Sequence, residues 1–147
     1  MKKTFIGALA LFLFFSAVSV TRCDAKLKIN KQELLKVLDP IVEKTLAAYN
    51  SNDDVKFFDY FAQEMHDVTT PQHFKAYYID IYKQEIGDYQ TRKLLVKECS
   101  FDEFYPVLVY KGVFKKNKKV FITVNFLNEH GFYRITRVDF DKKYFDE

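Results

Sequence analysis

The residues able to move a proton lie near the middle of the chain: Asp59, His66, Asp67 and His73, with tyrosines on either side. Acid–base chemistry on an apolar substrate needs a carboxylate or imidazole of tuned pKa facing a water-poor cavity. A tyrosine donor must also stand ready for the oxyanion that develops. Asp59 and His66 are the candidate catalytic residues on that ground. The alternative is bland: His66 and Asp67 are adjacent, adjacent residues on a helix do not face each other, and His73 reads as a solvated residue of a first helical turn. His130 beside Gly131 reads as a turn residue. No His-Glu-x-x-His, calcium loop or paired-cysteine motif is present, and neither is a Gly-rich phosphate loop. The expectation is therefore no metal and no cofactor. The aromatic side chains are more suggestive. Tyr49, Phe57, Phe61, Tyr78 and Tyr82 are the candidate ligand-binding residues, because a tyrosine offers an apolar body and a polar tip to a pocket. The competing reading buries the same rings as ordinary core.

Such residues need a scaffold. The 147 residues are 48% hydrophobic, 29% charged and 18% aromatic, the composition of one globular domain. The net charge is +3, of which Lys2, Lys3 and Arg22 against Asp24 supply +2 within residues 1–25. The rest of the chain carries only +1, which gives no support to a nucleic-acid partner or an electrostatic membrane patch. Met1-Lys2-Lys3 followed by the uncharged stretch Phe5 to Val20 reads as a secretory signal peptide, with cleavage after Ala25. The expected product, residues 26–147, is a single domain that is secreted or periplasmic. Contact with a membrane is expected only if the leader stays uncleaved or Cys23 is acylated. After cleavage Cys99 is the lone cysteine and reads as a small buried hydrophobe on a strand.

The pattern along residues 26–147 predicts helices first and strands afterwards. Asn30 and Glu33 form a cap-like start, and Leu34, Leu38, Ile41, Val42, Thr45, Leu46 and Tyr49 make one apolar stripe that keeps its phase across Pro40. This predicts one helix kinked at the proline. A short helix follows, with Phe57, Phe58, Phe61 and Met65 on one face. Thr70-Pro71 opens a third helix that Gly87 closes, with Phe74, Tyr77, Tyr78, Ile81, Tyr82 and Ile86 as its stripe. The period then changes to two. Strands are predicted over 94–101, 104–115, 120–126 and 132–140, joined by tight turns at Lys116-Asn117-Lys118 and Glu129-His130-Gly131. The class is α+β: N-terminal helices packed on a curved four-stranded antiparallel sheet, cone-like in outline. The lysines at 115–119 read as hairpin-tip residues that protect strand ends.

With Thr70-Pro-Gln-His-Phe74 introducing the third helix and Gly131-Phe-Tyr-Arg-Ile-Thr-Arg-Val-Asp-Phe140 closing the sheet, residues 30–142 resemble the nuclear transport factor 2-like (cystatin-like α+β cone) superfamily. Within it they look most like a bacterial secreted family of unknown function, sometimes found ahead of α/β-hydrolases. The chain has no Gly-x-Ser-x-Gly, so no hydrolase association carries over. The resemblance implies a sheet wrapped round the long helix, a cavity at the wide end, and an outer face able to form a homodimer. It is shared by binding domains and by cofactor-free isomerases and dehydratases, and fold alone does not choose between them. The expected function is a non-enzymatic domain that binds a small apolar ligand or a protein partner. The alternative is a cone-fold enzyme built on Asp59 or His66.

Overall fold

A computed structural model describes residues 30–141. Helix α1 (Lys31–Ser51) starts where the Asn30 side chain accepts a hydrogen bond from the Gln32 N–H at 3.1 Å. It runs unbroken through Pro40 and ends at Asn52, whose φ of 57° is the left-handed turn that asparagine tolerates. Helix α2 (Asp54–Phe58) is capped by Asp53, which accepts from the Lys56 N–H at 3.0 Å.

The helix expected to carry Phe57 through Met65 stops early. At Phe61 the chain turns extended and forms a short parallel bridge to Ile135, and a 3₁₀ turn (Gln63–Met65) follows. The bridge satisfies backbone groups that a longer helix would have bonded internally.

Thr70 caps the third helix by accepting from the His73 N–H at 3.2 Å, with Pro71 at its first position and Gly87 closing it at φ 82°. This helix, α3 (residues 71–86), has a wide middle: Pro71–His73 and Gln84–Ile86 are α-helical, and Phe74–Lys83 is wound as a π-helix. The predicted stripe changes accordingly. In an α-helix of about 3.6 residues per turn, positions four apart drift by about 40° at each step. The wider i→i+5 winding keeps Phe74, Tyr78, Tyr82 and Ile86 facing inward. Tyr77 and Ile81, expected in the core, are turned outward.

The sheet has four antiparallel strands in the order β1-β2-β3-β4 and is not closed: β1 (Tyr89–Leu94), β2 (Val107–Phe114), β3 (Val120–Glu129) and β4 (Phe132–Asp141). The last three strands lie where the alternation predicts them. The first does not. Residues 95–99 form a turn, and Cys99 is half-buried in it rather than on a strand. Its sulfur accepts from the Val109 N–H at 3.3 Å and stands in for a backbone partner, while burial pushes the thiol pKa up. His130 and Gly131, at φ 54° and 91°, form the left-handed pair that a tight β3–β4 hairpin requires.

One core joins these layers. Leu34, Leu38, Val42, Leu46 and Tyr49 of α1 lie against Leu108, Tyr110, Phe114, Ile122, Val124, Ile135, Val138 and Phe140 of the sheet. The close fit shows at Gly112, where an added Cβ would stand 2.7 Å from Ile122 Cδ1. Both long helices end on lysines supplied by later elements. Lys83 Nζ donates to the Tyr49 and Asn50 carbonyls at 3.0 and 2.7 Å, closing α1. Lys116, in the β2–β3 hairpin, bonds the Ile86 carbonyl through its N–H at 2.9 Å and the Gln84 carbonyl through Nζ at 2.7 Å, closing α3. Each places a cation at the negative end of a helix.

Candidate functional site

A concavity with both aromatic and charged walls lies between the 3₁₀ turn, α3 and β4. It is a groove of about 330 Å³ lined by Phe58, Phe61, Met65, Val68, His73, Tyr77, Tyr78 and β4 residues 136–139. Each wall has a local cause. The bridge at Phe61 brings the chain up against β4 and turns Phe61 toward Phe57 and Phe58, with ring centroids 5.7 and 5.0 Å apart. The π-winding carries Tyr77 out of the core, where it stacks on His73 at 5.5 Å and 21°. On the opposite rim Arg137 Nε is paired with Asp139. The floor is aromatic and the rim is polar, the usual build of a site that orients a small molecule.

Tyrosine hydroxyls around the groove are already engaged. Tyr78 donates to the Val138 carbonyl at 3.1 Å, and Tyr82 to the Tyr77 hydroxyl at 3.4 Å. Burial is the main cause that raises the pKa of both phenols above the ordinary tyrosine value, with the Asp139 carboxylate adding to it. Both therefore stay neutral and act as hydrogen-bonding groups, not as bases.

Of the residues singled out from sequence, Phe61 and Tyr78 line this groove. Tyr49 and Phe57 are enclosed in the core, and Tyr49 donates to the Gly87 carbonyl at 3.0 Å. Tyr82 is half-buried behind Tyr77, against Phe140. Asp59 is exposed in a separate groove of about 340 Å³ beside Tyr60, whose hydroxyl accepts from Lys44 Nζ at 2.9 Å. His66 is exposed and meets its neighbour Asp67 at 2.8 Å. The adjacent pair does come together, at the end of the 3₁₀ turn. Asp59 shares its groove with Tyr60, whose hydroxyl is taken by Lys44, and His66 lines neither groove. Among the described residues no three His, Cys, Asp or Glu side chains gather as a metal-holding group.

Sequence reasoning read His73 as a solvated surface residue, weighed Tyr77 among the tyrosines that could line a pocket, and passed over Arg137 and Asp139 altogether. The signal available was the i, i+4 pair His73–Tyr77 next to a Pro-initiated helix start. It also passed over a second cluster, at the other edge of the sheet. The Arg92 side chain is only 8% exposed and pairs with Asp39 at 3.0 Å and with Glu43. Its guanidinium lies 5.0 Å over the Tyr110 ring and donates to the Tyr89 hydroxyl at 2.9 Å. Tyr110 in turn donates to Asp39 at 2.9 Å, and burial, then Asp39, drives its pKa up. The two terminal nitrogens of Arg92 are paired within this cluster, which ties α1 to β1, while its buried Nε has no hydrogen-bond partner.

No protein-family model matches the chain, and no curated protein is significantly similar to it.

Proposed function

We propose that this chain is an exported, non-enzymatic binding domain of the nuclear transport factor 2-like type. It takes a small, largely apolar molecule in the groove between the 3₁₀ turn, α3 and β4. The observation that carries this reading is the π-wound stretch of α3. Such winding is rare, and it recurs at functional sites. Here it moves Tyr77 from the core to the groove wall, beside His73 and above Phe58 and Phe61. The order of a long helix, short helices and an antiparallel meander supports the superfamily assignment. Exposed Asp59 and His66 lack the enclosure that general acid–base chemistry requires, which favours binding over catalysis.

The test is native mass spectrometry of the protein recovered from its exporting host, alongside a Val68→Arg variant. Val68 lies on the groove rim and is 37% exposed, so an arginine there obstructs the groove without entering the core. A small mass that accompanies the parent protein, leaves on denaturation and is missing from the variant is the expected result. The same mass on both proteins, or no mass on either, would defeat the proposal.

A further inference from the structure

Three aromatic side chains stand out from one end of the molecule, away from the groove. Phe104 is 55% exposed, Tyr105 66% and Phe132 70%. They are not on a slack loop. Asp102 Oδ1 accepts from the Phe104 and Tyr105 N–H groups at 2.8 and 2.9 Å, and the Phe104 carbonyl accepts from the Asn128 N–H at 2.8 Å. Phe132 opposes Glu129 across the adjoining β3–β4 turn, so the three rings share one end of the sheet. A rigid loop that holds its largest apolar rings in water is a surface made for contact.

The start of α1 lies at the same end. Lys31 Nζ sits 4.5 Å over the ring of Phe101, three residues before Phe104. Upstream of Asn30 the sequence holds residues 21–29, at most about 30 Å of extended chain, and before them the uncharged stretch Phe5 to Val20. A chain whose residues 5–20 enter a bilayer therefore keeps this end of the domain within about 30 Å of the membrane surface, nearer than the far end of α1 can be held. Phe and Tyr are suited to that zone, where an apolar ring sinks to the headgroup level and a hydroxyl stays wet.

We infer that Phe104, Tyr105 and Phe132 form a seat on the phospholipid surface, used while the N-terminal apolar segment is embedded. Asp102, Glu103 and Glu129 flank the rings, so the contact is driven by apolar burial and does not call for anionic lipid.

The chain contains no tryptophan, which makes a single introduced one a clean reporter. Full-length Tyr105→Trp and Phe132→Trp variants are incorporated into phosphatidylcholine vesicles, with and without brominated acyl chains. Val55→Trp serves as the control, because Val55 is 75% exposed and lies beyond the far end of α1, about 30 Å away. The expected result is blue-shifted emission at positions 105 and 132, quenched several-fold more by brominated lipid than at position 55. Equal quenching at all three positions, or none, overturns the inference. So does failure of the full chain to enter vesicles. A blue shift that follows protein concentration without lipid also overturns it, since a second copy would then be the occupant.

Discussion

The two outer strands of the sheet present the same hazard, a row of unpaired backbone groups, and they are closed by different chemistry. Along β4 the closure is neutral and aromatic. The Tyr60 carbonyl and the Ala62 N–H bond both sides of Ile135 at 2.7 and 2.9 Å, and Tyr78 reaches the Val138 carbonyl with its hydroxyl. Along β1 the closure is polar and ionic. The Asn50 side chain bonds both sides of Tyr89 at 2.8 and 2.7 Å, and Arg92 is clamped between Asp39 and Glu43 of α1. Rings that touch a strand only by their tips leave space beneath them, and that space is the groove. Where a guanidinium has carboxylates closed round it, the neighbouring hollows, of about 360 and 450 Å³, lie more open to solvent. The difference teaches that edge protection and ligand space can come from one device, where the protecting side chain is long, rigid and neutral.

Alkaline pH strains both edges together and has the largest expected effect. Tyr78 at one edge, Tyr110 at the other and Tyr49 between them all have pKa values raised, chiefly by burial. A phenol whose folded pKa exceeds its unfolded value contributes stability that is fully present below about pH 10. That stability is lost as pH rises toward the folded value. Above pH 10 each of the three should steepen the loss by about 1.4 kcal/mol per pH unit. Phenolate absorbance should accordingly show an early, free titration of exposed tyrosines and then a step that coincides with unfolding. A smooth titration of every tyrosine before unfolding would contradict this.

Arg92→Met separates the edges. It removes the buried cation and keeps most of the stem's packing. The partners are half-exposed and can be rehydrated, so the expected loss is about 2–3 kcal/mol, read from urea denaturation. Binding in the groove should be untouched. A loss below about 1 kcal/mol would mean that the polar edge is held by Asn50 alone. The smallest effect belongs to Tyr78→Phe, which strips the donor from the Val138 carbonyl and should cost about 1–2 kcal/mol. Here the groove should respond as well, because Tyr78 forms part of its wall. A stability change with ligand binding preserved would separate edge protection from ligand space and undo the comparison.

The same contrast explains what could be read in the sequence. Strands β2 to β4 declared themselves because one face of each is buried, and alternation survives wherever that is so. β1 was hidden. Its residues Tyr89-Gln90-Thr91-Arg92-Lys93-Leu94 are mostly polar, as an edge strand's can be, and the more apolar run just after it drew the prediction away. The limits of α3 were legible from Thr70-Pro71 and Gly87, because caps are local. Its π-winding was not, since it is decided by which rings the sheet and α2 can receive. Phe61 and Tyr78 could be picked out as aromatic positions on periodic stripes. The Arg92 cluster could not, because Asp39 and Arg92 stand 53 residues apart, and no spacing rule joins a mid-helix aspartate to an edge-strand arginine.

The lysines at the helix ends bear on the order in which the domain can come together. At the end of α1 the Asn52 and Asp53 N–H groups bond the Ala48 and Tyr49 carbonyls locally, while the Asn50 carbonyl waits for Lys83. At the end of α3 the Gln84 and Ile86 carbonyls wait for Lys116. Each helix end is completed by a stretch of chain made after it. A nascent chain that stops short of the β2–β3 hairpin thus holds an α3 whose last turn still frays. Arrival of the hairpin closes the end of α3, the helix that carries Lys83 to the end of α1. Part of the stability of both helices thus comes from chain made after them.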